Sequence, residues 1–130
     1  MRSGYENRRS NYLALLFPVV LLAAPAFAAE HTCKTPPAPT VPDGRTAEPR
    51  QLVTANNDVK VFIEASDQYQ QCLNDWMGAE QVAASQAKKA MDPRIKTEHD
   101  RLGDENQKEK ERVGGLYNAA VSAYRAAHPR

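Results

Sequence analysis

The sequence predicts an all-α protein: a long antiparallel helical hairpin, coiled-coil-like, preceded by an extended proline-rich arm. Three observations carry this. Apolar or small residues recur as Leu52, Ala55, Val59, Phe62, Ser66, Tyr69, Leu73 and Trp76 in alternating steps of three and four, which keeps them on one seam of an α-helix. A second stretch, from Ile95 to Ala127, repeats that spacing. Between them stands Asp92-Pro93, a capping aspartate followed by a proline suited to the first helical position, through which the preceding helix cannot easily run.

The chain has 130 residues, enough for one domain at most, and its first part reads as an export signal. Arg2, Arg8 and Arg9 form a positive start, residues 12–24 are a short apolar run, and Ala26-Phe27-Ala28 is a small-x-small cleavage site. The apolar run is interrupted by Pro18 and falls short of the roughly 20 residues a spanning helix needs, so no stable membrane anchor is expected after cleavage. Asn11 follows Arg8-Arg9 where a twin-arginine signal wants a bulky apolar residue, which favours the general secretory route. Residues 1–28 are thus assigned to a signal peptide, and the mature chain to the periplasm or the medium.

Removing residues 1–28 takes three arginines and one glutamate from 17 basic and 16 acidic residues, leaving a net charge of about −1. Mixed charge near neutrality provides no field to steer nucleic acid, which is excluded as a partner. Roughly 100 residues with few large apolar groups cannot bury a deep core unaided.

Residues 29–45 form the arm. Cys33 and Cys72, the two cysteines of an exported chain, are expected to close as a disulfide, which for a loop of this length is worth about 4 kcal/mol in the chain-entropy model. Lipidation of Cys33 is disfavoured because Glu30-His31-Thr32 is not the small apolar run a lipoprotein signal requires. Pro36, Pro37, Pro39 and Pro42 fix φ and remove amide donors, so the arm should run polyproline-like. The spacing of Pro36 and Pro39 suits either a ligand for an aromatic groove or a spacer that the disulfide lays back along the first helix. Pro42-Asp43-Gly44 reads as a tight turn with glycine free to take φ > 0.

Residues 46–130 are the helical hairpin. Thr46 is the expected N-cap, with Glu48 and Pro49 in the first turn. Beyond Trp76, Gly78 could kink the helix, and five alanines from Ala79 to Ala90 favour helix while giving little to bury. The second helix carries Ile95, Leu102, Val113, Leu116, Ala120, Ala123 and Ala127 on one repeat once His99, Asn106 and Glu109 are counted, with Tyr117 and Tyr124 flanking it. Residues 103–112 hold nothing apolar and read as a solvated face. Gly114-Gly115 marks a hinge or a close crossing. Folding at about residue 91 sets Leu116 opposite residue 67, Ala120 opposite 63 and Tyr124 opposite 59, so the apolar halves meet.

Two helices bury one stripe each, so self-association or a protein partner is expected. Phe62, Tyr69, Trp76, Tyr117 and Tyr124 either form the contact stripe or are the hairpin's own core. No nucleophile with its base, metal-ligand motif or phosphate cradle stands out, and the chain reads as a non-enzyme. His99, on the seam, is a pH-sensitive contact, a ligand, or a polar interruption. Cleavage after Ala28 would expose Ala29-Glu30-His31, whose amine, two amides and imidazole can make a square-planar nitrogen set for Cu(II) or Ni(II). The order Cys33, Pro36-Pro37-Ala38-Pro39, Pro42-Asp43-Gly44 and a helix with Cys72 resembles small exported bacterial proteins of unknown function. That resemblance implies periplasmic residence and a helical mature domain, and no activity.

Overall fold

A computed structural model describes residues 30–129. The expected signal peptide, residues 1–28, therefore lies outside the described residues. Two helices follow the arm: α1, Pro49–Gln86, of 38 residues, and α2, Pro93–Ala127, of 35 residues. At 1.5 Å per residue they are rods of about 57 and about 52 Å. They lie antiparallel against each other.

Helix α1 starts two residues later than Thr46 suggests. Glu48 is the N-cap and Pro49 takes the first helical position; the Glu48 amide donates to Gln51 Oε1 at 2.7 Å, the reciprocal half of a capping box. Thr46 belongs instead to the turn before it, where its amide donates to the Asp43 carbonyl at 3.1 Å. The Asp43 side chain closes the same turn by accepting from the Arg45 amide at 3.0 Å. The α1 seam is as the spacing predicts: Leu52, Ala55, Val59, Phe62, Ser66, Tyr69 and Leu73 are all buried, and Trp76 is half-buried at its end.

Gly44 does not take φ > 0. Its requirement is space, because a Cβ there would sit 1.7 Å from the Ala120 carbonyl oxygen. Helix α1 runs unbroken through Gly78 and α2 through Gly114 and Gly115, and an added Cβ at any of the three would meet no atom within 4 Å. Gly114 and Gly115 mark no close crossing.

The reversal begins earlier than residue 91. Helix α1 ends in a Schellman arrangement: Lys89 N–H donates to the Ala84 carbonyl and Lys88 N–H to that of Ser85, both at 3.0 Å, with Lys88 at φ 53°. Residues 87–92 then pass back beside the last turns of α1, where Met91 and Lys89 share a hollow with Met77, Gln81 and Ala84. The end of α1 thus overhangs the start of α2, and the register shifts by about three turns. Ala120 sits with Leu52 and Ala47, not opposite residue 63, and Val113 sits with Val59 and Phe62.

Asp92 caps α2 as expected, accepting from the Arg94 amide at 2.9 Å. Buried positions on α2 are Ile95, Asn106, Val113 and Ala120. Leu116 is 46% exposed, and Tyr117 and Tyr124 turn inward in place of Leu116 and Ala123. A straight α-helix drifts against a strict seven-residue repeat, so consecutive steps of four from Glu109 to Val113 to Tyr117 rotate the inward face.

The arm crosses the open side of this helix pair. Cys33, Pro36, Pro39 and Pro42 are half-buried while Lys34, Thr35, Pro37, Ala38 and Thr40 are exposed. That period of three is the repeat of a polyproline II helix with one face inward. Val41 packs against both apolar clusters, joining the Leu52–Ala120 end to the Val59–Val113 middle.

Candidate functional site

The Cys33–Cys72 bond forms as predicted, with Cα atoms 5.7 Å apart. It ties the start of the arm to the middle of α1. Beneath the arm, Pro36, Phe62, Tyr69, Leu102 and Asn106 line a groove of about 300 Å³, with Glu105 and Glu109 at its edge. A shallower furrow on the other side of the arm runs along Asp58, Val61 and Ala65 of α1. Within the helix interface Asn106 Nδ2 donates to the Ser66 carbonyl at 3.0 Å, while the Ser66 hydroxyl is buried without a partner.

The five aromatic residues do not form one open stripe. Phe62 and Tyr69 are each 4% exposed, closed in by α2 and the arm. Tyr117 packs against the Val59–Phe62–Val113 cluster and Tyr124 against Leu52 and Ala120, at the other end from Trp76. Phe62, Tyr69, Tyr117 and Tyr124 belong to the hairpin's own core, while Trp76 is half-buried against His31. Among the described residues the large apolar ones left exposed are Val53, Val61, Val82 and Leu116.

Of the expected nitrogen set, Ala29 lies outside the described residues and Glu30 is exposed. The His31 ring leans on Trp76 with centroids 5.2 Å apart. His31 Nδ1 and Trp76 Nε1 are both enclosed and have no hydrogen-bond partner. Among the described residues no group of three or more His, Cys, Asp or Glu side chains is placed to hold a metal ion. His99 is a contact between helices: Nε2 meets Asn74 Oδ1 at 2.9 Å and Nδ1 meets Asp100 Oδ1 at 3.0 Å.

Charge on this surface is paired locally. Hydrogen bonds from the Arg101 guanidinium hold the Glu98 carboxyl below its usual range, and Arg112 does the same for Glu109. Lys96, with His99 behind it, lowers Asp100. Arg101 bridges Glu98 at 2.6 Å and Glu105 at 2.7 Å. Lys110 reaches across to Asp67 at 2.5 Å and adds a tie between the helices.

Sequence reading missed Gly44 as a contact, the Asn106–Ser66 bond and the seating of His31 on Trp76. Only Asn106 carried a signal, being a polar residue on an otherwise apolar repeat. Comparison with protein-family models, curated proteins and solved structures finds no match for the chain. The fold defines its class: a disulfide-stapled, two-helix hairpin with a docked polyproline arm. Among the described residues no helix is long and apolar enough to cross a membrane.

Proposed function

We propose that this chain is an exported, non-enzymatic protein of the periplasm or medium, acting through protein contacts as an envelope accessory or chaperone-like hairpin. The observation that carries the reading is Val61, 66% exposed on α1 beside the arm, with Val53 two turns earlier at 62%. Val61 shares the furrow beside the arm with Pro39 and Ala65, on a rod braced by Cys33–Cys72, and exposed apolar side chains beside a furrow on a rigid scaffold suit docking. The disulfide supports an oxidising compartment. A photo-crosslinking residue at position 61, with position 111 on the charged face of α2 as control, tests this in the exported fraction. Discrete adducts of one identified protein, or of the chain itself, from position 61 alone are expected. Equal adducts at both positions, together with no suppression of aggregation for several unrelated clients, end the reading.

A second reading is a Cu(II) or Ni(II) binder using Ala29, Glu30 and His31 after cleavage. It is favoured by His31 Nδ1, the atom such a chelate uses, which has no other partner. Copper titration of the processed protein should give a visible d–d band at one equivalent and quench Trp76 fluorescence, both lost in His31→Ala. Indifference to micromolar copper ends it.

A further inference from the structure

We propose that the groove between α1 and α2 is a recognition site for an extended, proline-rich segment of a partner protein, and that the chain's own arm is its resident occupant. This rests on the protein-contact reading and names the partner's chemistry.

The seating of the arm is the argument. A polyproline II segment presents one residue in three to a surface, and Cys33, Pro36, Pro39 and Pro42 are turned inward on that period, with Val41 beside them packed against both apolar clusters. Pro36 lines the groove together with Phe62, Tyr69 and Leu102, and Pro39 lies along Val61, Phe62 and Ala65. Aromatic walls receiving prolines of a preformed extended helix are the general chemistry of polyproline recognition. No hydrogen bond joins residues 30–42 to either helix among the described residues. What holds the arm is apolar fit, which any segment of the same period can copy, and one covalent bond.

That bond decides which segment occupies the groove. Closed, it keeps the arm at an effective concentration in the millimolar range or above, and a free segment cannot compete. A dithiol opens it by exchange: its two thiols become a disulfide while Cys33 and Cys72 become thiols. The arm is then tethered only at the Asp43–Ala47 turn and can be displaced, which uncovers Phe62 and Tyr69 to the incoming segment.

The probe is a synthetic peptide of residues 34–42, against a composition-matched peptide with the prolines off the three-residue period. In a Cys72→Ser chain carrying Gly114→Ala and Gly115→Ala to offset the lost staple, a fluorophore on Cys33 reports the arm. Its anisotropy should be high at first and fall as the peptide reaches several millimolar, with the scrambled peptide at least about tenfold weaker. A label already mobile without peptide, or immobile at every peptide concentration, overturns the proposal. A second variant keeps the disulfide: Pro36→Glu with Pro39→Glu leaves the arm tethered but unseated, and the oxidised chain should then bind the labelled peptide in trans while oxidised wild type does not. Binding by neither, or by both equally, also overturns it. Crosslinks at position 61 would persist in that case, so the broader reading can outlive this one.

Discussion

Asn106 donates its side-chain amide to the backbone carbonyl of Ser66 at 3.0 Å, inside the interface between α1 and α2. It is the one buried polar side chain α2 sends across, and it lies near the middle of the paired length. A buried amide that is satisfied in one alignment and orphaned in others specifies register at some cost in stability. Asn106→Ala should therefore lose about 1 to 2 kcal/mol, measured as a lower urea midpoint. Ser66→Ala has the opposite sign: its hydroxyl is buried with no partner, and removing it should gain up to about 1 kcal/mol.

Three glycines separate close approach from mere flexibility. Gly44→Ala places a Cβ into the Ala120 backbone, and main chain cannot step aside as a side chain can. A loss of about 3 kcal/mol or more is expected, with the arm turn lifted from α2. Gly114→Ala and Gly115→Ala meet nothing and should each gain about 1 kcal/mol from helix propensity alone. Urea denaturation of the three variants gives all the signs.

What could be read from the sequence was whatever a single local rule decides. The α1 seam followed from spacing and the Asp92-Pro93 start from cap chemistry. The cysteine pairing followed from number and the expected oxidising compartment. Register was misplaced because it depends on Lys88, a residue with no sequence mark of a left-handed cap. The phase of α2 was misplaced at Leu116 because three alanines and two tyrosines there fit either face. Tyr69 and Phe62 were open to two readings until the arm was seen to cover them. Gly44 was legible as a turn residue, which it is, but its contact with Ala120, far along the chain, has no local signature.

Acid should loosen the hairpin. Asp43, Asp92, Glu98, Asp100 and Glu109 all have their folded pKa lowered, in each case first by a side-chain hydrogen bond from a neighbouring base. A lowered folded value contributes stability above the unfolded value and loses it as pH falls through the folded one. The contribution is therefore intact at neutral pH, begins to fade near the ordinary values of 4.5 for Glu and 3.8 for Asp, and is gone below the lowered ones. Because the groups are exposed, the effect is small per pair and screened by salt. Thermal melts at pH 7 and pH 3 should show a lower Tm in acid, with 1 M salt narrowing the difference by lowering the neutral value. A Tm that rises on acidification would contradict the assignment.

The end of α1 offers a test of why the helices align as they do. Lys88 sits at φ 53° in the position a glycine usually fills after a helix, and its amide and that of Lys89 close the last turn on Ser85 and Ala84. An L side chain in the left-handed region is strained by about 1 kcal/mol relative to glycine. Lys88→Gly should therefore gain roughly 0.5 to 1 kcal/mol, the relief of strain outweighing the greater freedom of the unfolded chain. Lys88→Val, β-branched and intolerant of φ > 0, should lose more than that and let α1 run on, moving Asn106 away from Ser66. Chemical denaturation reads the first effect. The second is read by pairing cysteines at 59 and 113, whose native residues pack in one cluster: crosslinking between them should be efficient in the glycine variant and depleted in the valine one. Unchanged crosslinking in the valine variant would mean that the Asn106–Ser66 bond, not the cap, sets the alignment.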